Sequence, residues 1–561
     1  MQTANSTTKS ILPVFIVSLF VFLILSLSSY FLPATWDEGE MSFRAVESPH
    51  WVGTVNAEGH PQVPVILASL GRFIFPQPLS TGSLRFGSIL FFSLACGMCF
   101  YRIKQLFGKT AAVFFIPSVL LIPRLFAHCQ IAAWDSALIS AWMLAWAFYP
   151  RQETLAAKKK KLSKYIIFGI CLGLTLSCKF SGWAVFLPFG LFFLIESVKN
   201  FRAGNVNALI YFIFISLPVS IFVFYVLNPP LWTHPVNGFI EFLQLNTSRG
   251  SGHYNVAVLF FGTMYDLNHP LPWYNTLVWI AVTVPAGILF LSAVGIVVSF
   301  TKHRQEGILL LLNFLTLPVI RSFPGTPVHD GVRLFVSCFP FLAVFAAIGA
   351  AFLWNKKDLF TVRIADVFKV KAFICNRTVL FNGNFIVRFA VIAVFSASIL
   401  NMLVYSPQYL SFYNAFIGGL SGAVNKGMEA AYYWDSFDRE ATRWLSEHTE
   451  SNEKVAFSAA SAKSILLNRN SCWDKNIKFF SFEPVVILPQ TTLEELKSGR
   501  GNPHVRYYVL QHRPSGEFER DKQLIQQTDV SVKCVFRKQK NNSVFKDGQS
   551  VPLLEIYQLR R

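Results

Sequence analysis

Charge is what this chain has least of. Charged residues make up 14% of its 561 positions, against about 25% in an ordinary soluble protein. The shortfall is mostly acidic: 31 Asp and Glu stand against 50 Lys and Arg, a net charge of +19. Metal-ligand spacing is also missing. The nine cysteines form no Cys/His cluster of the kind a structural zinc site needs. Cys96, Cys99, Cys129, Cys171, Cys178 and Cys338 sit in or beside apolar runs and read as packing residues. Cys472 and Cys534 lie in a polar tail, where an oxidising compartment would allow them to pair. There is no phosphate-cradling glycine loop, no serine-centred elbow, no repeat of fixed period and no low-complexity block.

What fills the space is long apolar sequence. Hydrophobic residues are 53% of the chain and aromatic residues 16%. The runs are continuous rather than alternating, which favours membrane helices over a β-barrel. About 20 apolar residues span a bilayer. The candidate spans are Ile11–Leu32, Leu84–Leu106, Ala111–Leu125, Ile131–Phe148, Tyr165–Leu176, Ala184–Val198, Ala208–Leu227, Thr276–Phe300, Leu309–Ile320, Leu334–Trp354 and Phe385–Tyr405. The expected fold is therefore an all-α polytopic membrane bundle of about eleven transmembrane helices. The first run is too long for a signal-peptide core and reads as the first span.

The basic residues cluster in short segments between these runs, so a membrane reading is preferred and nucleic acid is not expected as a partner. With the N-terminus in the cytoplasm, Arg102, Lys104 and Lys109, the block from Lys158 to Lys164, Lys199 and Arg202, Lys302 and Arg304, and the stretch from Lys356 to Arg377 all fall on the cytoplasmic side. The loops Pro33–Ser83, Asn228–Asn275 and Arg321–Arg333, with the tail from about Ser406, then face outward. Val63–Phe75 is too short to span and reads as an interfacial stretch. The expected domains are 1–430, the membrane unit, and 431–561, a small extracytoplasmic α/β domain. In the latter a helix is expected at Asp438–His448. Strands are expected at Lys454–Ser458, Ile477–Phe482, Arg506–Leu510, Ser531–Arg537 and Leu553–Tyr557.

Three acidic features could carry chemistry. Asp37 and Glu38 follow the first span directly. Glu58-Gly59-His60-Pro61 stands in the same loop, and could equally cap the interfacial helix. Asp135 lies within an apolar run, where a lone carboxylate costs about 2.5–3.5 kcal/mol and marks a functional site by default. Its structural alternative is a pairing with Arg124 or His128, the latter seven residues earlier on one face if the helix extends back that far. The topology gathers these acids with Arg124, His128, His253, Asp266, His269, Arg321, His329, Asp330 and Arg333 at one membrane face. Carboxylates there suit acid–base work, and cations suit an anionic group. The first loop has no DxD metal motif, which favours a lipid-phosphate donor over a nucleotide sugar.

The Asp37-Glu38 pair at the end of a first span resembles the GT-C membrane glycosyltransferases. More narrowly, it resembles the dolichyl-phosphate-mannose protein mannosyltransferases (glycosyltransferase family 39) and their bacterial aminoarabinose-transferase branch. The segment Pro123-Arg124-Leu125-Phe126-Ala127-His128 through Trp134-Asp135 is similar to that family's second acidic site. Glu58-Gly59-His60-Pro61 is similar to its turn before the interfacial helix. Leu271-Pro272-Trp273-Tyr274, His329-Asp330-Gly331-Val332-Arg333-Leu334-Phe335 and Tyr409-Leu410-Ser411-Phe412-Tyr413-Asn414 match the style of bacterial members. The resemblance covers roughly the first 430 residues.

It implies an inverting transfer of a sugar from a polyprenyl-phosphate lipid to an unidentified extracytoplasmic acceptor. In that reading Asp37 is the catalytic base, Glu38 its neighbour in the site and Asp135 a supporting carboxylate. Glu58, His60, Arg124, His128, Arg321 and Arg333 bind substrate or its phosphate. His60 stands where relatives often have lysine. Glu58's counterpart ligates a metal in some relatives, so a divalent cation is left open as a cofactor and none is assigned. The implied place is a bacterial plasma membrane, with the site and the C-terminus outside. Two other classes compete. A transporter or flippase would place ionisable residues near the bilayer midplane. A non-catalytic scaffold would need no acid at all.

Overall fold

In hydrocarbon a backbone has no water to bond, so each apolar run must satisfy its own peptide groups. The runs accordingly fold as helices in the computed structural model. The structure describes residues 2–47, 59–75, 80–150, 158–201, 207–247, 256–356, 383–433, 435–450, 453–458, 460–471, 483–486, 491–498, 505–526, 532–540 and 550–559. Six helical stretches are long and apolar enough to cross a bilayer: Ile11–Ser29, Thr81–Phe107, Phe180–Val198, Ala208–Val226, Arg333–Asn355 and Phe385–Tyr405. A bent pair, Asn275–Thr283 with Ala286–Lys302, makes a seventh. The chain is a multi-pass membrane protein.

By this measure the expected eleven spans are not reached among the described residues. The shorter helices have local reasons to be short. Lys109–Leu120 stops ahead of Ile122-Pro123, and the next helix, Pro123–His128, is separate. The helix carrying Asp135 has only 14 residues, Trp134–Ala147, because the chain turns through 129–133 first. The helix therefore does not reach back to His128. The pair Asn275–Thr283 and Ala286–Lys302 is bent by 116° at Val284-Pro285. Proline has no N–H to continue the ladder.

The most enclosed span begins at Arg333 and runs to Asn355. It crosses Ala286–Lys302 at close quarters. A Cβ on Gly295 would fall 1.8 Å from the Phe345 carbonyl oxygen, and one on Gly349 2.0 Å from that of Leu291. Small residues let two backbones approach this way where water drives nothing. The crossing fixes the central span, and with it the placement of Arg333 at its first residue.

A short hairpin, β1 (Val258–Phe260) and β2 (Thr263–Tyr265), stands in the long loop before Asn275. The tail forms one five-stranded mixed sheet from β3 (Lys454–Phe457), β4 (Glu483–Val486), β5 (Val505–Gln511), β6 (Val532–Lys540) and β7 (Val551–Leu559), in the order β4-β3-β5-β7-β6. β3 pairs in parallel with β4 and β5, while β7 runs antiparallel between β5 and β6. Four of the expected strands are present. The segment Ile477–Phe482 lies outside the described residues, as do Cys472, Glu58 and His253. Helix Arg439–His448 is capped by Asp438, whose carboxylate accepts from the N–H groups of Glu440 and Ala441.

The tail sits on the ends of several membrane helices. Ser464 Oγ donates to the Thr35 carbonyl at 2.9 Å, and Ala34 N–H donates to Asn468 Oδ1 at 2.8 Å. Lys463 bridges to Glu40 at 2.7 Å. Lys540 donates to the carbonyl of Ser406 at 2.6 Å and to that of Val404 at 3.1 Å, where the last span ends.

Candidate active site

Trp36–Glu47 is an amphipathic helix entered straight from the first span, and its first turn carries two acids. These adjacent side chains leave the helix in different directions. Glu38 is fully buried against Arg85, with Nε to Oε1 at 2.6 Å and Nη2 to Oε2 at 2.7 Å. It also accepts from the N–H groups of Thr35 and Ala132, both at 3.0 Å. Arg85 gives its other donors to the carbonyls of Ser29, Leu32 and Pro33. No part of this pair faces open space. Glu38 stands next to the site in sequence, and in space it ties the first span, the Asp37 helix and residue 132 together.

Asp37 stays partly open. Its carboxylate meets the Arg333 guanidinium, and the two side chains keep 13% and 11% exposure. The same guanidinium reaches Asp135 at 3.0 Å through Nε and Asp330 at 2.7 Å through Nη1. It lies 4.2 Å above the ring of Tyr433. Lys179 completes the group, 2.7 Å from the other oxygen of Asp135. Asp135 thus pairs with Lys179 and Arg333, and the sequence alternative of Arg124 or His128 as its partner is set aside. Burial raises the Asp37 carboxyl above its ordinary range, with Arg333 and then Tyr433 pulling against that shift.

The remaining cations differ in what holds them. Arg124 is buried, with its guanidinium over Tyr413 at 4.6 Å, Tyr432 at 4.8 Å and Trp279 at 5.7 Å, and its Nε donates to the Phe412 carbonyl. Its two terminal nitrogens meet no acceptor among the described residues. His128 is buried beside it, 3.0 Å from the Tyr432 hydroxyl. Arg321 feels the Asp135 charge and forms no ion pair or side-chain hydrogen bond among the described residues. His329 is held neutral by burial, its ring pushed down to about 3. His60 stacks on Trp134 at 4.4 Å, one residue from Asp135. Asp266 and His269 form their own turn, in which His269 N–H donates to the Asp266 carboxylate. No cluster of three His, Cys, Asp or Glu that could hold a metal exists among the described residues.

The loop that delivers Arg333 is unusual. Asp330 (φ 61°) and Gly331 (φ 56°) both adopt left-handed backbone. A non-glycine residue there is uncommon and is kept by its surroundings. Arg513, from the tail, lies 3.0 Å from the free oxygen of Asp330.

Four residues of this group were not anticipated from sequence: Arg85, Lys179, Tyr433 and Arg513. Arg85 had a weak signal, since it is a charge at the very start of an apolar run. Lys179 stands at the junction of two apolar runs, where a lysine ordinarily snorkels to the interface. Arg513 and Tyr433 carried none.

Comparison with known proteins adds two findings. Residues 59–233 match the family model described as dolichyl-phosphate-mannose-protein mannosyltransferase. No curated protein matches the chain. ArnT from Cupriavidus metallidurans bound to undecaprenyl phosphate shares its fold at TM-score 0.50 and 13% identity, over 98% of both chains. The apo state of the same protein gives TM-score 0.50 and 13% identity over 97% of both. The oligosaccharyltransferase of Archaeoglobus fulgidus is more distant, with TM-score 0.42 and 12% identity over 88% of this chain and 69% of that one. The resemblance to the dolichyl-phosphate-mannose-protein mannosyltransferases thus holds over residues 59–233 in sequence, and the likeness to ArnT over nearly the whole chain is one of fold.

Proposed function

We propose that this protein is an inverting glycosyltransferase that takes its sugar from a polyprenyl-phosphate lipid. The observation that carries the reading is the convergence of Asp37, Asp135, Lys179 and Arg333 from four distant segments into one partly open ionic group. ArnT of Cupriavidus metallidurans, which has this fold, is described with undecaprenyl phosphate bound. The family model matched by residues 59–233 is named for dolichyl-phosphate-mannose, a sugar on a polyprenyl phosphate.

In this reading Asp37 takes the proton of the acceptor hydroxyl as that oxygen bonds to the sugar's anomeric carbon from the face opposite the phosphate. The bond between that carbon and the phosphate oxygen breaks, and the phosphate leaves as an anion. A base works best when its pKa approaches working pH, so the upward push on Asp37 is in the useful direction. Arg333 aims the carboxylate, and Asp135 with Lys179 aims Arg333. The leaving phosphate needs a cation that is not already committed. Arg321 fits: it feels the Asp135 charge and has no ion pair among the described residues. Arg124 and His128 are buried against Tyr413, Tyr432 and Trp279, so a phosphate meets neither in this conformation. A divalent cation would have to draw on Asp37 or on Glu58.

The ionic contacts also support the topology. Residues that touch at one face of the membrane are separated by an even number of crossings. Two of the apolar runs expected from sequence separate Asp37 from Asp135, two separate Asp135 from Lys179, and four separate Lys179 from Arg333, so each interval is even if every one of those runs crosses. In this reading the basic loops face the cytoplasm, and the site and tail lie on the other side of the membrane.

The test is donor turnover by the purified full-length protein. A panel of polyprenyl-phosphate sugars is offered with cell-envelope extract, and free polyprenyl phosphate is followed by mass spectrometry. Release from one donor supports the reading and names the sugar. No release from any donor, by a preparation shown to be folded, counts against it.

A further inference from the structure

The sequence leaves the role of the tail open. Its contacts give it one. Arg513 follows β5, and its side chain is buried. One terminal nitrogen donates to the Tyr432 carbonyl at 2.5 Å and lies 3.0 Å from Asp330 Oδ1. The other oxygen of Asp330 accepts from Arg333. A continuous ionic chain therefore runs from the tail, Arg513 to Asp330 to Arg333 to Asp37.

Asp330 is also the residue with left-handed backbone. Such a conformation costs on the order of 1–3 kcal/mol and persists only where neighbours over-determine it. Here two guanidiniums flank the two oxygens of its carboxylate, Arg333 through a hydrogen bond and Arg513 through an ion pair at 3.0 Å, one from each side of the domain junction. The turn they hold includes the hydrogen bond from Arg333 N–H to the Asp330 carbonyl at 3.0 Å, so the turn sets where Arg333 begins. The tail holds the opposite half of the site too. Ser464 bonds to the backbone of Thr35 and Trp36, and Lys463 bridges to Glu40, on either side of Asp37.

We infer that Arg513 is a positioning residue: the tail domain locks the Asp330 turn and thereby sets Arg333 between Asp37 and Asp135. The tail completes the site, and a membrane unit without it has a misplaced arginine. This inference rests on the proposed function only in taking Asp37 as the reacting group.

Hydrogen–deuterium exchange on the full-length protein in detergent tests it without any substrate. Arg513→Met should speed exchange in residues 326–336 on the order of tenfold, the loss expected for one charged contact. The strands at 454–457 and 551–559 should stay protected. Arg513→Lys keeps a charge beside Asp330 and should restore part of the protection. Lys540→Met cuts a different tail contact, at the end of the last span, and should leave 326–336 unchanged. In the turnover assay Arg513→Met should lower kcat by on the order of 100-fold, as misplacement by about 1 Å does, with a smaller change in KM for the donor. Unchanged exchange at 326–336 would overturn the inference. So would equal loosening by Lys540→Met, or loosening that spreads through the tail strands, since either reports only a less stable tail. If the parent protein turns over no donor, the proposed function fails while the exchange experiment still decides the role of Arg513.

Discussion

Two carboxylates one residue apart, Asp37 and Glu38, have opposite fates. Glu38 and Arg85 are both 0% exposed, and every strong donor and acceptor they carry is spent inside the protein. Asp37 and Arg333 keep 13% and 11% exposure, and Arg333 is shared among three carboxylates. A closed pair has nothing left to offer a substrate, so its role is to hold backbone. An open, shared group can exchange one partner for a ligand or a proton. Composition cannot tell these apart, because both are Asp or Glu beside Arg at the edge of an apolar helix. What separates them is how many partners each has and whether space adjoins them.

The comparison is most easily broken at Glu38. Glu38→Ala strands the Arg85 charge among the carbonyls of Ser29, Leu32 and Pro33, which should cost about 3–5 kcal/mol. Thermal unfolding in detergent measures it. The double variant Glu38→Leu with Arg85→Met should recover much of that loss, because apolar side chains replace a buried pair at little cost. If Glu38→Ala unfolds like the parent yet loses turnover, Glu38 belongs to the open group after all.

A smaller effect is expected at Arg321. Arg321→Gln should raise the donor KM by roughly tenfold or more, in line with about 1.5–3 kcal/mol for a bond to a charged group. Steady-state kinetics with the donor that the turnover panel identifies would show it. An unchanged KM would move the phosphate toward Lys179 or Arg124.

The pH profile gives a subtler check. The Asp37 pKa is raised in the folded protein. A base must be ionised, so kcat/KM should climb with pH through a midpoint above the ordinary carboxylate value of about 3.9. A flat profile from pH 4 upward would deny Asp37 that task.

The smallest effect concerns Asp435, also buried near this junction. Its carboxylate meets no side-chain partner among the described residues, and burial pushes its pKa up to about 6. The folded value lies above the unfolded value of about 3.9, so the folded state binds the proton more tightly. Stability should therefore fall as pH rises from about 4 through about 6. Asp435→Asn should flatten that slope in thermal melts across the interval, and an undiminished slope would point to another group.

Much of this was legible in the sequence. Hydropathy located every apolar run, because lipid forces such runs to be helical. The acids Asp37 and Asp135 were found from their unfavourable setting. Span count was less legible, because Pro123, Pro285 and the charged start of Arg304–Ile320 shorten helices without interrupting apolar composition. The pairing of Asp135 was missed, since its partners lie 44 and 198 residues away. The brace from Arg513 was not legible at all, since one arginine in a polar tail looks like any other until the sheet is folded and docked.

The most direct measurement is donor turnover by Asp37→Asn beside Glu38→Gln and the parent, each with undecaprenyl phosphate binding and thermal stability recorded. Asp37→Asn should melt near the parent and bind undecaprenyl phosphate. It should lose turnover by about 10²–10⁴-fold, the range for a positioned base. Glu38→Gln should lose stability first. Full turnover by a folded Asp37→Asn protein would contradict the assignment of Asp37 as the base, and with it the division of labour between the two carboxylates.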